Sequence, residues 1–278
     1  STGKLENISQ NNKIEIIEDS ILNENILNKV MQNVQAVFHL AANVSVPFSI
    51  EFPGKSFEIN AMGTLKVLES CRKNGVRKFI NSSSSAVYGE SEDLPLREDM
   101  SCHPISIYGA GKLSAEIITQ VYAKTYNMQT VSLRYFNIFG ERQRHDSHYA
   151  AVIPIFFSNI FNHEPLRVFG DGEQTRDFTH VSNVVHANML ALESDSLNGE
   201  AVNIASGESI SLNELTEFLS WLEGKPLDVV YDEPRIGDIK HSSASIQKAK
   251  QLLGYEPKTD WREGLNQLHK HFQPISSS

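Results

Sequence analysis

Short apolar, β-branched runs alternate with helix-spaced stretches through the first half of this chain, and that alternation restricts the fold more than any other feature. The runs are "KIEIIEDS" (13–20), "QAVFHLAA" (35–42), "RKFINSSSSAVYG" (77–89) and "QTVSLRYFNIFG" (129–140). Near-continuous apolar character, each run ending in small or polar residues, predicts parallel strands buried on both faces. Between them, "ILNENILNKVMQNV", "GKSFEINAMGTLKVLESCRKNGV" and "YGAGKLSAEIITQVYAKTYNM" read as helices, with Gly75 placed to end the second. The pattern predicts an α/β fold built on a doubly wound parallel sheet.

From about residue 140 the rhythm changes to longer loops and mixed elements. "AAVIPIFFSNIF" (150–161) reads as a buried helix. "SLNELTEFLSWLEGKP" (211–226) reads as a helix with a Ser211/Glu214 capping box, closed by Gly224 and Pro226. "LDVVY" predicts a strand and "DWREGLNQLHKHF" a last helix starting at Asp260. The expected organisation is a sheet domain over residues 1–140 and a smaller α/β lobe over 141–278, some of whose segments return to the first domain.

Composition excludes several functions. The formal net charge is −9 without a long like-charge run, which argues against a nucleic-acid surface. No stretch holds 18 uninterrupted apolar residues, so no membrane span is expected. Two cysteines, Cys71 and Cys102, cannot make a disulfide framework and read as reduced thiols in a cytoplasmic protein. The ten histidines are scattered without ligand spacing, so no metal site is expected.

Chemistry is expected where strands end, because ligands of open α/β sheets bind outside the carboxyl edge. "HLAANVS" (39–45), "INSSSSAVYG" (80–89) and "RYFNIFG" (134–140) fall there. In "SIYGAGK" (106–112), Tyr108 and Lys112 lie one helical turn apart with only small residues between them. A lysine ammonium on that face is expected to favour the tyrosinate, whose free pKa is about 10. Ser84, at a strand end, and Tyr108, at a helix start, are positioned to converge on one substrate hydroxyl.

Taken in order, "HLAA", "SSSSAVYG", "YGAGK", "LRYFNIFG", "GDGEQTRDF" and "PRIGD" resemble the motifs of the extended short-chain dehydrogenase/reductases, and specifically their NAD-dependent nucleotide-sugar epimerases. The resemblance covers nearly the whole chain. It implies a Rossmann-like sheet, NAD as cofactor and a UDP-sugar substrate. Tyr108 is then the acid–base residue at the sugar 4-hydroxyl, Ser84 its hydrogen-bond partner, and Lys112 the residue that lowers the tyrosine pKa and holds the nicotinamide ribose. Further cofactor contacts are implied at Asp19, Ser20, Leu40, Ala41, Ala42, Asn60 and Phe136. Substrate contacts are implied at Ser45, Ser85, Asn137, Gln143, Ala151, Arg176, Arg235, Asp238 and Ser242, with the two arginines on the diphosphate. A homodimer is implied through helices 57–74 and 108–127.

Related dehydratases and decarboxylases carry carboxylates in the turn equivalent to Ser85–Ala86. Neither is present, so 4-epimerisation is favoured, with a uronate epimerase, dehydratase or decarboxylase as the alternative, or a non-catalytic nucleotide-sugar-binding relative. Ser242 stands where glucose-restricted epimerases can carry a tyrosine, which implies room for an N-acetyl group. The family's glycine-rich NAD turn is not found in the sequence, and "STGKLENI" resembles the stretch just after its second strand. The chain is therefore expected to be a fragment of a longer protein and inactive by itself.

Overall fold

The computed structural model describes residues 11, 13–143, 151–234 and 240–272. The first half contains α1 (Glu24–Val30), β1 (Ala36–His39), α2 (Val46–Glu51), α3 (Pro53–Phe57), a π-helical turn (Glu58–Met62), α4 (Gly63–Lys73), β2 (Lys78–Ser84), α5 (Ile107–Tyr126) and β3 (Gln129–Tyr135). The second half contains β4 (Ile138–Phe139), α6 (Val152–Phe161), β5 (Leu166–Phe169), β6 (Thr175–Arg176), β7 (Thr179–His180), α7 (Val181–Glu193), β8 (Glu200–Ile204) and β9 (Ile210–Ser211). It closes with α8 (Leu212–Glu223), β10 (Val229–Asp232), α9 (Gln247–Leu253) and α10 (Trp261–Phe272).

The main sheet is parallel, in the order β1-β2-β3-β8. Successive side chains of a strand point to opposite faces, and this alternation sorts the residues of β2 and β3. Phe79 packs with Val67, Leu68 and Cys71 of α4 and Tyr122 of α5. Ile80, Val131, Leu133 and Tyr135 pack with Val184, Ala187 and Ala191 of α7 and with Ala249 and Leu253 of α9. Helices thus cover both faces, as the doubly wound reading requires. A further core joins α6, β5, α8 and α10 through Phe156, Phe157, Leu166, Leu215, Trp261 and Leu265.

Local signals act where expected. Ser211 and Glu214 form the complete capping box of α8, and Gly224 closes that helix in the left-handed region. Asp260 accepts from Glu263 N at 2.8 Å at the start of α10. Gly75, at φ +70°, follows α4.

One expected strand is absent. Residues 13–20 form no strand, and Ile14, Ile16 and Ile17 are exposed. Among the described residues β1 pairs with β2 alone, so no ladder reaches this segment. β-branched composition makes a strand possible, but only a neighbouring strand's N–H and C=O groups make one.

Candidate active site

The carboxyl ends of β1 and β2 and the first turns of α5 meet in one place. Ser84 closes β2, and its Oγ accepts from Ala86 N at 3.2 Å, capping a 3-10 turn over Ser85–Val87. Ser106 caps α5 by accepting from Gly109 N at 3.1 Å, which puts Tyr108 in the first helical turn. The small residues after Tyr108 have a steric reason. A Cβ on Gly109 would stand 2.5 Å from Ala86 O, and one on Gly111 would stand 3.1 Å from Asn60 Cβ. Glycine therefore lets α5 lie against both the turn after Ser84 and the π-helical turn that carries Asn60.

Ser84 and Tyr108 do converge. Burial pushes the Tyr108 phenol above its usual pKa, and a hydrogen bond with Ser84 pulls it back part of the way. The Ser84 oxygen already accepts from Ala86 N, so its own proton is free for the phenol oxygen. The expected role of Lys112 differs. Lys112 is 5% exposed, its Nζ donates to Ser82 O at 2.7 Å, and the Tyr108 phenol is raised rather than lowered. Burial lowers its own pKa to about 8, with the Glu116 carboxylate opposing. Desolvation outweighs the one-turn spacing here, so Tyr108 is a neutral phenol beside an ammonium that is itself easily neutralised.

His39, at the end of β1, is a site residue that the sequence did not single out. Thr64 Oγ1 gives its proton to Asn60 O at 2.7 Å, so it accepts from His39 Nε2–H at 3.0 Å and fixes the tautomer. Burial, followed by the charge of Lys112, lowers His39 to about 4. Asn60 in turn clamps the backbone of Asn43, accepting from its N at 2.8 Å and donating to its O at 2.9 Å. A π-helical insertion often marks a functional site, and here it presents Asn60 to the loop after β1.

The other expected residues divide into groups. Leu40 is 58% exposed and Ala41 exposed, with Ala42 half-buried, on the loop that Asn60 anchors. Ser45 caps α2 by accepting from Phe48 N at 3.1 Å, and Ser85 opens the 3-10 turn. Phe136 is fully buried against Tyr88, so its side chain offers no surface to a ligand. Asp19 and Ser20 are exposed and bond within their own turn, to Ser20 N, Asn23 Nδ2 and Leu22 N.

On the substrate side, Asn137, Ala151, Arg176 and Phe178 line a cavity of about 420 Å³ beneath α6. Asn137, at φ +31°, donates to Asp177 O at 3.1 Å, and Arg176 Nη1 donates to Thr175 O at 2.9 Å. Gln143 is half-buried and donates to Ile138 O at 3.0 Å. Ser242 is buried where its N donates to Thr175 O and its O accepts from Ser209 Oγ. Arg235 and Asp238 lie outside the described residues. No cluster of three or more potential metal ligands occurs among the described residues, and no helix there is long and apolar enough to cross a membrane.

Comparison with known proteins gives the family and the fold. The sequence pattern of the NAD dependent epimerase/dehydratase family matches residues 2–205. A putative UDP-glucose 4-epimerase of Methanocaldococcus jannaschii is 36% identical over 96% of this chain and 86% of its own length. The UDP-N-acetylglucosamine 4-epimerase of Methanobrevibacter ruminantium M1, solved with UDP-N-acetylmuramic acid, is similar at TM-score 0.93 and 40% identity, over 98% of this chain and 87% of that one. The UDP-glucose 4-epimerase of Thermotoga maritima, solved with UDP-glucose, has TM-score 0.92 and 38% identity, over 98% and 88%. With its parallel sheet wound on both faces and Ser84, Tyr108 and Lys112 gathered at the strand ends, the chain belongs to the NAD-dependent epimerase/dehydratase family of extended short-chain dehydrogenases/reductases.

Proposed function

We propose that this protein is an NAD-dependent 4-epimerase of UDP-hexoses, interconverting UDP-GlcNAc with UDP-GalNAc and UDP-glucose with UDP-galactose. The observation that carries the reading is the contact of Ser84 with the Tyr108 phenol, one helical turn from a buried lysine. A hydroxyl–phenol pair in a dry site suits reversible proton transfer at a single sugar hydroxyl. Ser85 and Ala86, in the turn after Ser84, bring no carboxylate there, so this turn supplies no acid–base group for elimination.

The residues present fit the ribose end of a nicotinamide nucleotide. Lys112 has three N–H donors, and Ser82 O accepts from one of them. Tyr108, Lys112 and the Leu40–Ala42 loop would hold that end of NAD, which when bound supplies the hydride acceptor and donor at C4. The chain's own part is the proton. Tyr108 takes it from O4 and returns it, Ser84 holds the same oxygen, and Lys112 as ammonium lowers the cost of the transient tyrosinate. Arg176 and Asn137 are assigned to the diphosphate and uridine side, over the cavity that Phe178 and Ala151 help to line. Arg235, Asp238, Gln143 and Ser242 complete that assignment.

We assign the protein to the cytoplasm, where two unpaired cysteines are stable. It is assigned as a homodimer through α4 and α5, on which Ile117 and Val121 expose apolar surface one turn apart, near Met62 of the π-helical turn. The reading is tested in the complete protein, by supplying NAD and following UDP-GlcNAc and UDP-glucose turnover in wild type and Tyr108→Phe. The variant is expected to lose about 10²–10⁴ in kcat, the usual value of a positioned acid–base group, while UDP-sugar affinity holds. Near-normal turnover by Tyr108→Phe removes Tyr108 from the chemistry.

A further inference from the structure

Behind the site lies a buried ion pair for which the proton transfer has no use. Glu116 follows Lys112 by one turn of α5 and is 6% exposed. Its carboxylate accepts from Arg134 Nε at 2.9 Å and Arg134 Nη2 at 2.8 Å, a two-pronged contact with β3. The same carboxylate accepts from Ser83 Oγ at 2.5 Å. Ser83 is the neighbour of Ser84, so one side chain of the catalytic helix grips the strand that ends in the catalytic serine.

We infer that Glu116 is the positioning residue of this active site: by tying α5 to Ser83 and Arg134 it fixes Tyr108 and Lys112 against Ser84. The inference rests on the epimerase reading for its kinetic consequences, but the geometry stands without it. A buried ion pair is weak support for stability, because desolvating two charges cancels most of their attraction. Its better-attested use is to fix one register among alternatives. Here the register matters, since Lys112 Nζ must reach Ser82 O and Tyr108 must reach Ser84 from the same helix.

Charge points the same way. Lys112 is faced by His39 of β1, kept neutral by burial, and by Glu116 of its own helix. Glu116 is the partner that holds the lysine's pKa up. On the far side Arg134 lies 4.7 Å over the Tyr88 ring and touches Cys102, both neutral, while Glu98 reaches Tyr88 more weakly. Removing the Glu116 carboxylate therefore lowers the pKa of Lys112, and the ammonium disappears at a lower pH.

The test uses the complete protein with NAD in excess. Glu116→Gln alone strands the buried Arg134 charge, so it is paired with Glu116→Leu/Arg134→Met, which replaces both charges by apolar side chains and keeps the fold. Expected for the double variant is a fall in kcat on the order of tenfold to a hundredfold, the scale of an ångström-level misplacement, with KM for UDP-sugar little changed. In Glu116→Gln the alkaline limb of kcat should move down by about one pH unit, as for loss of an opposite charge, and in the double variant, which also loses the Arg134 charge, it should move the same way by less. Asn188→Ala, which breaks a bond to Tyr135 on the opposite face of the sheet, is the control. It should lower stability without moving that limb. The second readout needs no turnover: the Lys112 side-chain NMR titration, assigned with Lys112→Arg, should fall in step in both Glu116 variants. An unchanged Lys112 midpoint together with an unchanged kcat in the double variant overturns the inference. A wild type that turns over no UDP-hexose overturns the epimerase reading instead, and the lysine titration still decides the role of Glu116.

Discussion

Acidification should destabilise this fold in part through the His39 imidazole. His39 is 5% exposed, and its Nε2–H is committed to Thr64, so a second proton must go to Nδ1 in a dry environment beside Lys112. Its pKa falls from the model-peptide 6.5 to about 4, a difference worth about 3 kcal/mol. Between those two values the unfolded chain binds the extra proton and the folded chain does not. Stability is therefore whole above about pH 6.5, declines as the pH falls through that window, and has lost the full amount below about 4. Asp177 works against it, since burial raises its carboxyl to about 6 despite bonds from Ser206 and Gly207. Comparing wild type with His39→Gln isolates the histidine, because Asp177 is common to both. The measurement is urea unfolding followed by Trp fluorescence at intervals from pH 8 to 4. His39→Gln should start less stable and lose less on acidification, closing the gap by about 3 kcal/mol. Parallel curves for the two proteins would refute the reasoning.

Two further outcomes are expected. On the proposed assignment of Ser242 to the sugar pocket, Ser242→Tyr should abolish turnover of UDP-GlcNAc and UDP-GalNAc while sparing UDP-glucose and UDP-galactose, its ring filling the room an acetamide needs. An unchanged ratio of kcat/KM between the two substrate pairs sinks the pocket assignment of Ser242. Ile117→Glu/Val121→Glu should convert a dimer to a monomer in sedimentation without lowering the Tm appreciably, since both side chains are exposed in the single chain. A wild type that sediments as a monomer removes the dimer.

What the sequence revealed, and what it hid, follows from where each partner lies. Strands β2 and β3 were legible as short apolar and β-branched runs (Phe79, Ile80; Val131, Leu133) alternating with helix-spaced stretches, and α8 because Ser211, Glu214 and Gly224 are local signals. α7 and β8 were not singled out, although both belong to the main sheet layer. The buried face of α7 includes Asn183 and Asn188, which break the apolar pattern. Asn183 bonds to Lys258 N, Thr259 N and Thr259 O, and Asn188 to Tyr135, all far away in sequence. The site behaved likewise. Ser84, Tyr108 and Lys112 announce themselves by spacing, whereas Glu116 matters through Ser83, 33 positions away, and Arg134, 18 positions away. Its one local signal was a second step of four along α5, from Tyr108 through Lys112 to Glu116.

The nearly empty stretch between Tyr108 and Lys112 links that spacing to the chemistry. Ala86 O occupies the place of a Cβ at Gly109, and Asn60 crowds the place of one at Gly111. Such close approach packs α5 against the neighbouring turns, and burial acts on Tyr108, Lys112 and His39 with the sign their charges dictate. The neutral form is favoured in each: the phenol is raised, the ammonium drops to about 8 and the imidazolium to about 4. His39 contributes to the acid limb of the fold's stability, and Lys112 sets the alkaline edge of the range over which its ammonium survives. A side chain larger than glycine at position 109 or 111 would open the seam and readmit water. All three groups would then relax toward their solution values, and Lys112 would keep its charge at higher pH. The glycines thus belong to the acid–base apparatus as much as the tyrosine does, because they set how dry it is.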